Sequence, residues 1–138
     1  MFLWKNAVAV VAIIILGILP GCGGGGSASD PFPQNPLPTK TLSWNPPTAY
    51  TDGTPMNPAT ELINFEIYVK QGGQFTGTDT PMALVGAVNP STGQLVTTFN
   101  LANLAPYIST GVQYQVALKA VAITGAKSNF STPATFSF

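Results

Sequence analysis

The segment Gln113–Ala122 alternates too regularly to be a helix. Tyr114, Val116, Leu118, Ala120 and Ala122 share one parity, and Gln113, Gln115, Ala117, Lys119 and Val121 share the other. Strand side chains point to opposite faces with period two, so this pattern specifies a strand with one buried face. Shorter runs repeat the theme. Lys40, Leu42 and Trp44 are set against Thr41 and Ser43, and Phe65, Ile67 and Val69 against Glu66, Tyr68 and Lys70. Residues 83–88 form a weaker run interrupted by Gly86. Leu95, Thr97, Phe99 and Leu101 are in phase within 94–101, and Phe136 aligns with Phe138 within 134–138. Pro46-Pro47, Thr51-Asp52-Gly53-Thr54-Pro55, Gly72-Gly73 and Pro133 punctuate these runs. From Thr39 onward no amphipathic helix is visible. Six or seven short strands so punctuated predict an all-β fold, a sandwich of antiparallel sheets.

The chain has 138 residues, and roughly 100 of them belong to the strand-rich part, a common size for one domain. Charged residues make up 7%, against about 25% in ordinary domains. Low charge alone suits disorder, but disordered chains are poor in apolar and aromatic residues, and this one is 45% hydrophobic. Every basic residue is a lysine: Lys5, Lys40, Lys70, Lys119 and Lys127. They are scattered, so no basic stripe exists to neutralise phosphates, and nucleic acid is not expected as a partner.

Residues 7–19 are an unbroken apolar run ended by Pro20 and Gly21, with Lys5 the charge before it. Its length suits a signal-peptide core of about 7–15 residues and falls short of a membrane span of about 20. Leu19-Pro20-Gly21-Cys22 resembles a bacterial lipobox, with an aliphatic residue three before the cysteine and a small one just before it. Pro20 departs from the usual Ala, Ser or Thr. The resemblance implies cleavage before Cys22 and a lipid anchor on that cysteine. Cys22 is the sole cysteine, so it has no intramolecular partner, and lipidation explains it. An uncleaved membrane anchor, or an ordinary signal with an incidental thiol, is the alternative. Gly23 follows where an Asp would mark retention at the inner membrane. In a Gram-negative source the resemblance therefore implies the outer membrane.

Gly23-Gly24-Gly25-Gly26-Ser27-Ala28-Ser29 reads as a flexible linker. Pro31, Pro33, Pro36 and Pro38 follow, favouring extended backbone and excluding helix. Part of this stretch also suits an irregular edge strand. The expected organisation is therefore a signal peptide over 1–21, lipidated Cys22 and linker over 22–38, and one domain over 39–138.

Thr41-Leu42-Ser43-Trp44-Asn45-Pro46-Pro47, then Asp52-Gly53-Thr54-Pro55 and Phe65-Glu66-Ile67-Tyr68-Val69, resembles strands B and C of a fibronectin type III domain. Leu101-Ala102-Asn103-Leu104-Ala105-Pro106 and Tyr114-Gln115-Val116-Ala117-Leu118-Lys119-Ala120 resemble its E–F corner and strand F. The resemblance covers about 38–138. It implies an immunoglobulin-like sandwich of about seven antiparallel strands. In it Trp44 fills the core, Tyr114 is the corner tyrosine and Leu104 packs beneath that corner. Leu104 and Tyr114 stand further apart than the family's usual spacing, with Tyr107-Ile108-Ser109-Thr110-Gly111 looking like an insertion.

The chain lacks histidine, which removes His-based triads and imidazole metal ligands. One cysteine cannot make a zinc site. Gly23 to Gly26 follows no strand and opens no helix, so it is not a phosphate-binding loop. Asp30, Asp52, Glu61, Glu66 and Asp79 are the carboxylates beyond Cys22. Asp52 and Glu61 bracket one loop and read as solvated. No catalytic residue, metal or cofactor is expected. Tyr50, Tyr68, Phe75 and Tyr107 are expected in loops or on outward positions, where rings can stack on sugars or anchor a protein. The resulting expectation is a non-enzymatic, membrane-tethered envelope module that binds another envelope or extracellular protein. The alternative is a glycan-binding lipoprotein using Tyr50 or Tyr107.

Overall fold

The computed structural model describes residues 13–16 and 36–138. Cys22 and the linker's glycines lie outside the described residues. In chain order the elements are β1 (Ile13–Leu16), β2 (Thr41–Trp44), α1 (Pro58–Glu61), β3 (Leu62–Lys70), β4 (Ala83–Gly86), β5 (Thr98–Asn100), a 3₁₀ turn (Leu101–Leu104), β6 (Gln113–Ala122) and β7 (Ala134–Ser137). They form two antiparallel sheets, ordered β1-β2-β5 and β4-β3-β6-β7. The expected all-β sandwich is what the chain forms.

The long β3–β6 pair builds the middle of the larger sheet. Phe65 stands opposite Ala120, Ile67 opposite Leu118 and Val69 opposite Val116. All six are buried and belong to one apolar cluster. Leu42 and Trp44 of β2 join that cluster from the other sheet. Trp44 meets Phe65 edge to face, with ring centres 5.1 Å apart, which ties the two layers together. Burying a side chain of Phe65's size contributes about 1.5–3 kcal/mol.

Several expected boundaries shift, each for a local reason. The run expected over 94–101 shortens to β5. Asn100 ends it by accepting the Ala102 N–H on its Oδ1 (3.0 Å), which caps the 3₁₀ turn. Before β5, Leu95 makes only an isolated bridge to Val88. One helical turn, α1, falls where no helix was visible. Asn57 caps it by accepting the Ala59 N–H (3.1 Å), Pro58 opens it, and four residues are too few to show a period. Within the segment read as a signal peptide, Ile13–Leu16 pairs with β2 from Leu16 opposite Thr41 to Ile13 opposite Trp44.

The edge of β6 is closed in two ways. Near its start, β7 pairs with it, setting Tyr114 opposite Phe136. Further along, serine hydroxyls stand in for a strand. The Leu118 N–H donates to Ser131 Oγ and the Ala120 N–H to Ser128 Oγ, both at 2.9 Å. The backbones of Ser131 and Ser128 donate back to the carbonyls of Leu118 and Ala120. Both serines are buried, so these bonds satisfy groups that water cannot reach.

Candidate functional site

The outer face of the β3–β6 pair carries a cluster of aromatic and charged side chains. Glu66, Tyr68 and Lys70 follow at every second position of β3, so they share this face. Opposite them stand Lys119, Ala117 and Gln115 of β6. Phe130 meets Tyr68 edge to face at 4.8 Å, and Phe75 lies 5.4 Å from Phe130. Lys119 Nζ sits 4.2 Å from the centre of Phe130, and Lys70 Nζ 4.7 Å from that of Phe75. Rings attract cations held over their faces, so both contacts are favourable.

Beneath the rings the charges pair. Glu66 is buried and accepts from Lys127 Nζ (2.7 Å) and from the Tyr68 hydroxyl (2.5 Å). Burial pushes its carboxyl up, but the bonds from Lys127 and Tyr68 outweigh that and hold it below the usual carboxylate range. Tyr68 moves the other way. Burial first, then its bond to Glu66, pushes the phenol far above its ordinary value. Lys70 pairs with Asp79 at 2.8 Å and also donates to the Gln74 carbonyl. Bonds from Lys70 and from the Thr76 N–H lower the Asp79 carboxyl. Both carboxylates are paired, with Lys70 and Lys127, and Lys119 rests on the Phe130 ring, so the cluster covers the outer sheet face.

Tyr68 was expected among the exposed aromatics. It is instead 4% exposed. Phe75, from the loop that follows β3, and Phe130, from the β6–β7 connection, cover it, and strand alternation alone cannot reveal such loops. Phe75 is itself half-buried.

The two tyrosines read as ligand platforms lie at opposite ends of the sandwich. Tyr50 sits in the β2–β3 connection, next to the start of β3. Its N–H donates to the Thr54 carbonyl (2.8 Å) and its carbonyl accepts from the Gly53 N–H (3.0 Å), closing a tight hairpin. Gly53 has φ +79°, which an L side chain rarely adopts. The Tyr50 ring packs against the core, and burial together with the nearby Glu61 carboxylate raises its phenol. Tyr107 lies between the 3₁₀ turn and β6, at the end where β3 finishes. It is 64% exposed, the fuller platform of the two.

The residues expected to be structural are all inside. Trp44 is 3% exposed, Leu104 1% and Tyr114 5%. The Tyr114 hydroxyl accepts the Ser109 N–H at 2.9 Å, five positions upstream. The segment 107–111 thus bends back over Tyr114, and Ile108 of that segment is buried in the core. Trp44 Nε1 is buried with no hydrogen-bond partner among the described residues.

Among the described residues no three His, Cys, Asp or Glu side chains gather to hold a metal ion. No helix among them is long and apolar enough to cross a membrane. Elsewhere on the surface, Ile63, Leu84 and Ile123 are each more than half exposed. Ile63 is turned out by a shift in the β3–β6 register between Leu62 and Asn64. The sequence matches no family model, and no curated protein is similar enough to count as a match.

Proposed function

We propose that this chain is an exported lipoprotein, cut before Cys22 and held to a membrane of the cell envelope by lipid on that cysteine. Its domain is a fibronectin type III-like module that binds another envelope or extracellular protein and catalyses no reaction. The observation that carries the tether is Leu19-Pro20-Gly21-Cys22 at the end of a short apolar run and before a Gly/Ser linker. Stable anchoring needs more than one acyl chain, which a lipidated N-terminal cysteine supplies. In a Gram-negative source the site is the outer membrane.

Two features support the type III reading. With Ile13–Leu16 set aside as part of the cleaved segment, the β4-β3-β6-β7 sheet and the β2-β5 pair correspond to the C′-C-F-G and B-E strands expected of such a domain. The bond between Ser109 N–H and Tyr114 Oη has the form of a tyrosine corner. Intact mass and detergent partitioning of the protein from its native envelope test the tether. Acylation at Cys22 is expected, and a Cys22→Ser chain that still partitions with membranes overturns it. Tyr107, 64% exposed, favours glycan as the second reading. A glycan array comparing the domain with its Tyr107→Ala variant tests that reading, and binding by neither removes it.

A further inference from the structure

The two sides of β2 are used differently. The Trp44 N–H donates to the Thr97 carbonyl (2.9 Å), and the Lys40 carbonyl accepts from the Leu101 N–H (2.8 Å). The even-numbered residues therefore turn their backbone groups toward β5. In an antiparallel strand both groups of a residue point the same way and alternate along the chain. The N–H and C=O of Thr41 and Ser43 consequently face β1, where Leu16 and Ile14 stand opposite them. Ile13 to Leu16 belongs to the segment that cleavage before Cys22 removes. In the cut chain these four backbone groups lose their partners.

The vacated side is also part of the core. Leu42 is 0% exposed and Trp44 3% exposed, and both belong to the main apolar cluster. A strand lying alongside β2 sets its residues opposite Leu42 and Trp44 on that same inner side. A charge there is buried at high cost, so the slot selects uncharged, aliphatic residues. The present occupant, Ile13-Ile14-Ile15-Leu16, has that composition. Thr41–Trp44 itself holds no charge and no proline, the usual devices that keep an open edge from pairing.

From this we infer that the β2 edge of the mature protein is a docking site for an extended aliphatic strand of a partner protein. The strand lies antiparallel to Thr41–Trp44 and completes the smaller sheet. The inference rests on the lipoprotein reading above. Strand addition of this kind takes affinity from main-chain bonds and specificity from alternate side chains. A partner fits better than a second copy of this chain. Another β2 has already committed its own Leu42 and Trp44 to its own core, so it has no apolar side chains left to close this one.

The test uses the mature lipidated protein in detergent and a synthetic peptide of residues 10–19. Two versions of the peptide are compared. One is N-methylated at Ile14 and Leu16, the positions opposite Ser43 and Thr41, and the other at Ile13 and Ile15. The two have the same composition, so they partition equally into detergent. The unmodified peptide is expected to bind one per chain and to slow amide exchange at Thr41 and Ser43. Methylation at Ile14 and Leu16 should weaken binding about tenfold or more, as expected for lost main-chain bonds. Methylation at Ile13 and Ile15 should leave it intact. Equal binding by both methylated peptides overturns the inference. So does slow exchange at Thr41 and Ser43 without peptide, which marks the edge as covered by the chain's own linker in a monomer or by a second copy in a dimer. The mass of the purified chain separates the two levels. A chain still carrying residues 1–21 overturns the lipoprotein reading and this inference with it, whereas a cut, acylated chain with a covered edge overturns the inference alone.

Discussion

The hydroxyl of Tyr68 donates to the carboxylate of Glu66, 2.5 Å away and two residues earlier on the same strand. Neighbours at that spacing share a sheet face, and here the contact fixes a carboxylate inside a layer of rings. Lys127 closes the bond from the far side at 2.7 Å. The result is a small second core on the outside of the β3–β6 sheet. It explains why outward-facing Ala117, opposite Tyr68, is as buried as inward-facing residues.

Removing either end of the Glu66–Lys127 pair should have unequal effects. Glu66 is buried, and Glu66→Ala leaves Tyr68 and Lys127 without their acceptor under Phe130. A loss of about 2–4 kcal/mol is expected. Lys127 is 48% exposed along its side chain, so water takes its place more readily and Lys127→Ala should cost about 1 kcal/mol or less. Urea denaturation of the two variants checks the asymmetry, and equal losses would refute it.

The cluster also sets how stability depends on pH. The Glu66 and Asp79 carboxyls are lowered in the fold. Their contribution is fully present above the unfolded values, about 4.3 and 3.9, and is lost as pH falls through the lower folded ones. Tyr68 is raised, so its neutral form is favoured in the fold. That contribution is present below the unfolded value of about 10 and is lost as pH climbs above it. Melting temperatures should be flat between about pH 5 and 9 and drop on both sides. Tyr68→Phe should flatten the alkaline limb.

Ser131→Ala is expected to be costly for so small a change. It leaves the buried Leu118 N–H without the hydroxyl that accepts it at 2.9 Å. An unsatisfied buried amide costs about 1–3 kcal/mol. Ser131→Thr keeps the acceptor and should recover part of the loss if the extra methyl fits. Amide exchange at Leu118 reads the effect directly and should accelerate only in the alanine variant.

Tyr114→Phe keeps the ring stacked on Phe136, with centres 5.7 Å apart, but deletes the acceptor for Ser109 N–H. The expected loss is about 1–2 kcal/mol. The Tyr107 end should loosen first, seen as faster amide exchange at Ser109. An unchanged Ser109 amide would mean that burial of Ile108, and not the hydroxyl, holds the corner.

Leu42, Phe65, Ile67, Val116 and Leu118 were legible because each sits at every second place in a run and only one face of a half-buried strand can be apolar. The same logic failed at Tyr68, whose parity points outward. Its burial depends on Phe75 and Phe130, which arrive from loops with no periodic signal. Ser128 and Ser131 were illegible for a related reason. A serine in a loop looks the same whether its hydroxyl meets water or replaces a strand's carbonyl.

The sequence by itself determined the class of fold, through parity and punctuation, and marked Cys22 as a residue needing an explanation. It also carried the candidate platforms Tyr50 and Tyr107, though not their separation. Only the tertiary structure decided that the two lie at opposite ends of the sandwich, because antiparallel pairing of β3 with β6 sends their connecting loops to opposite poles. Only the tertiary structure set Ile13–Leu16 against Thr41–Trp44. Which edge of a strand is paired is decided by backbone groups that every residue carries alike, and no pattern of side chains records it.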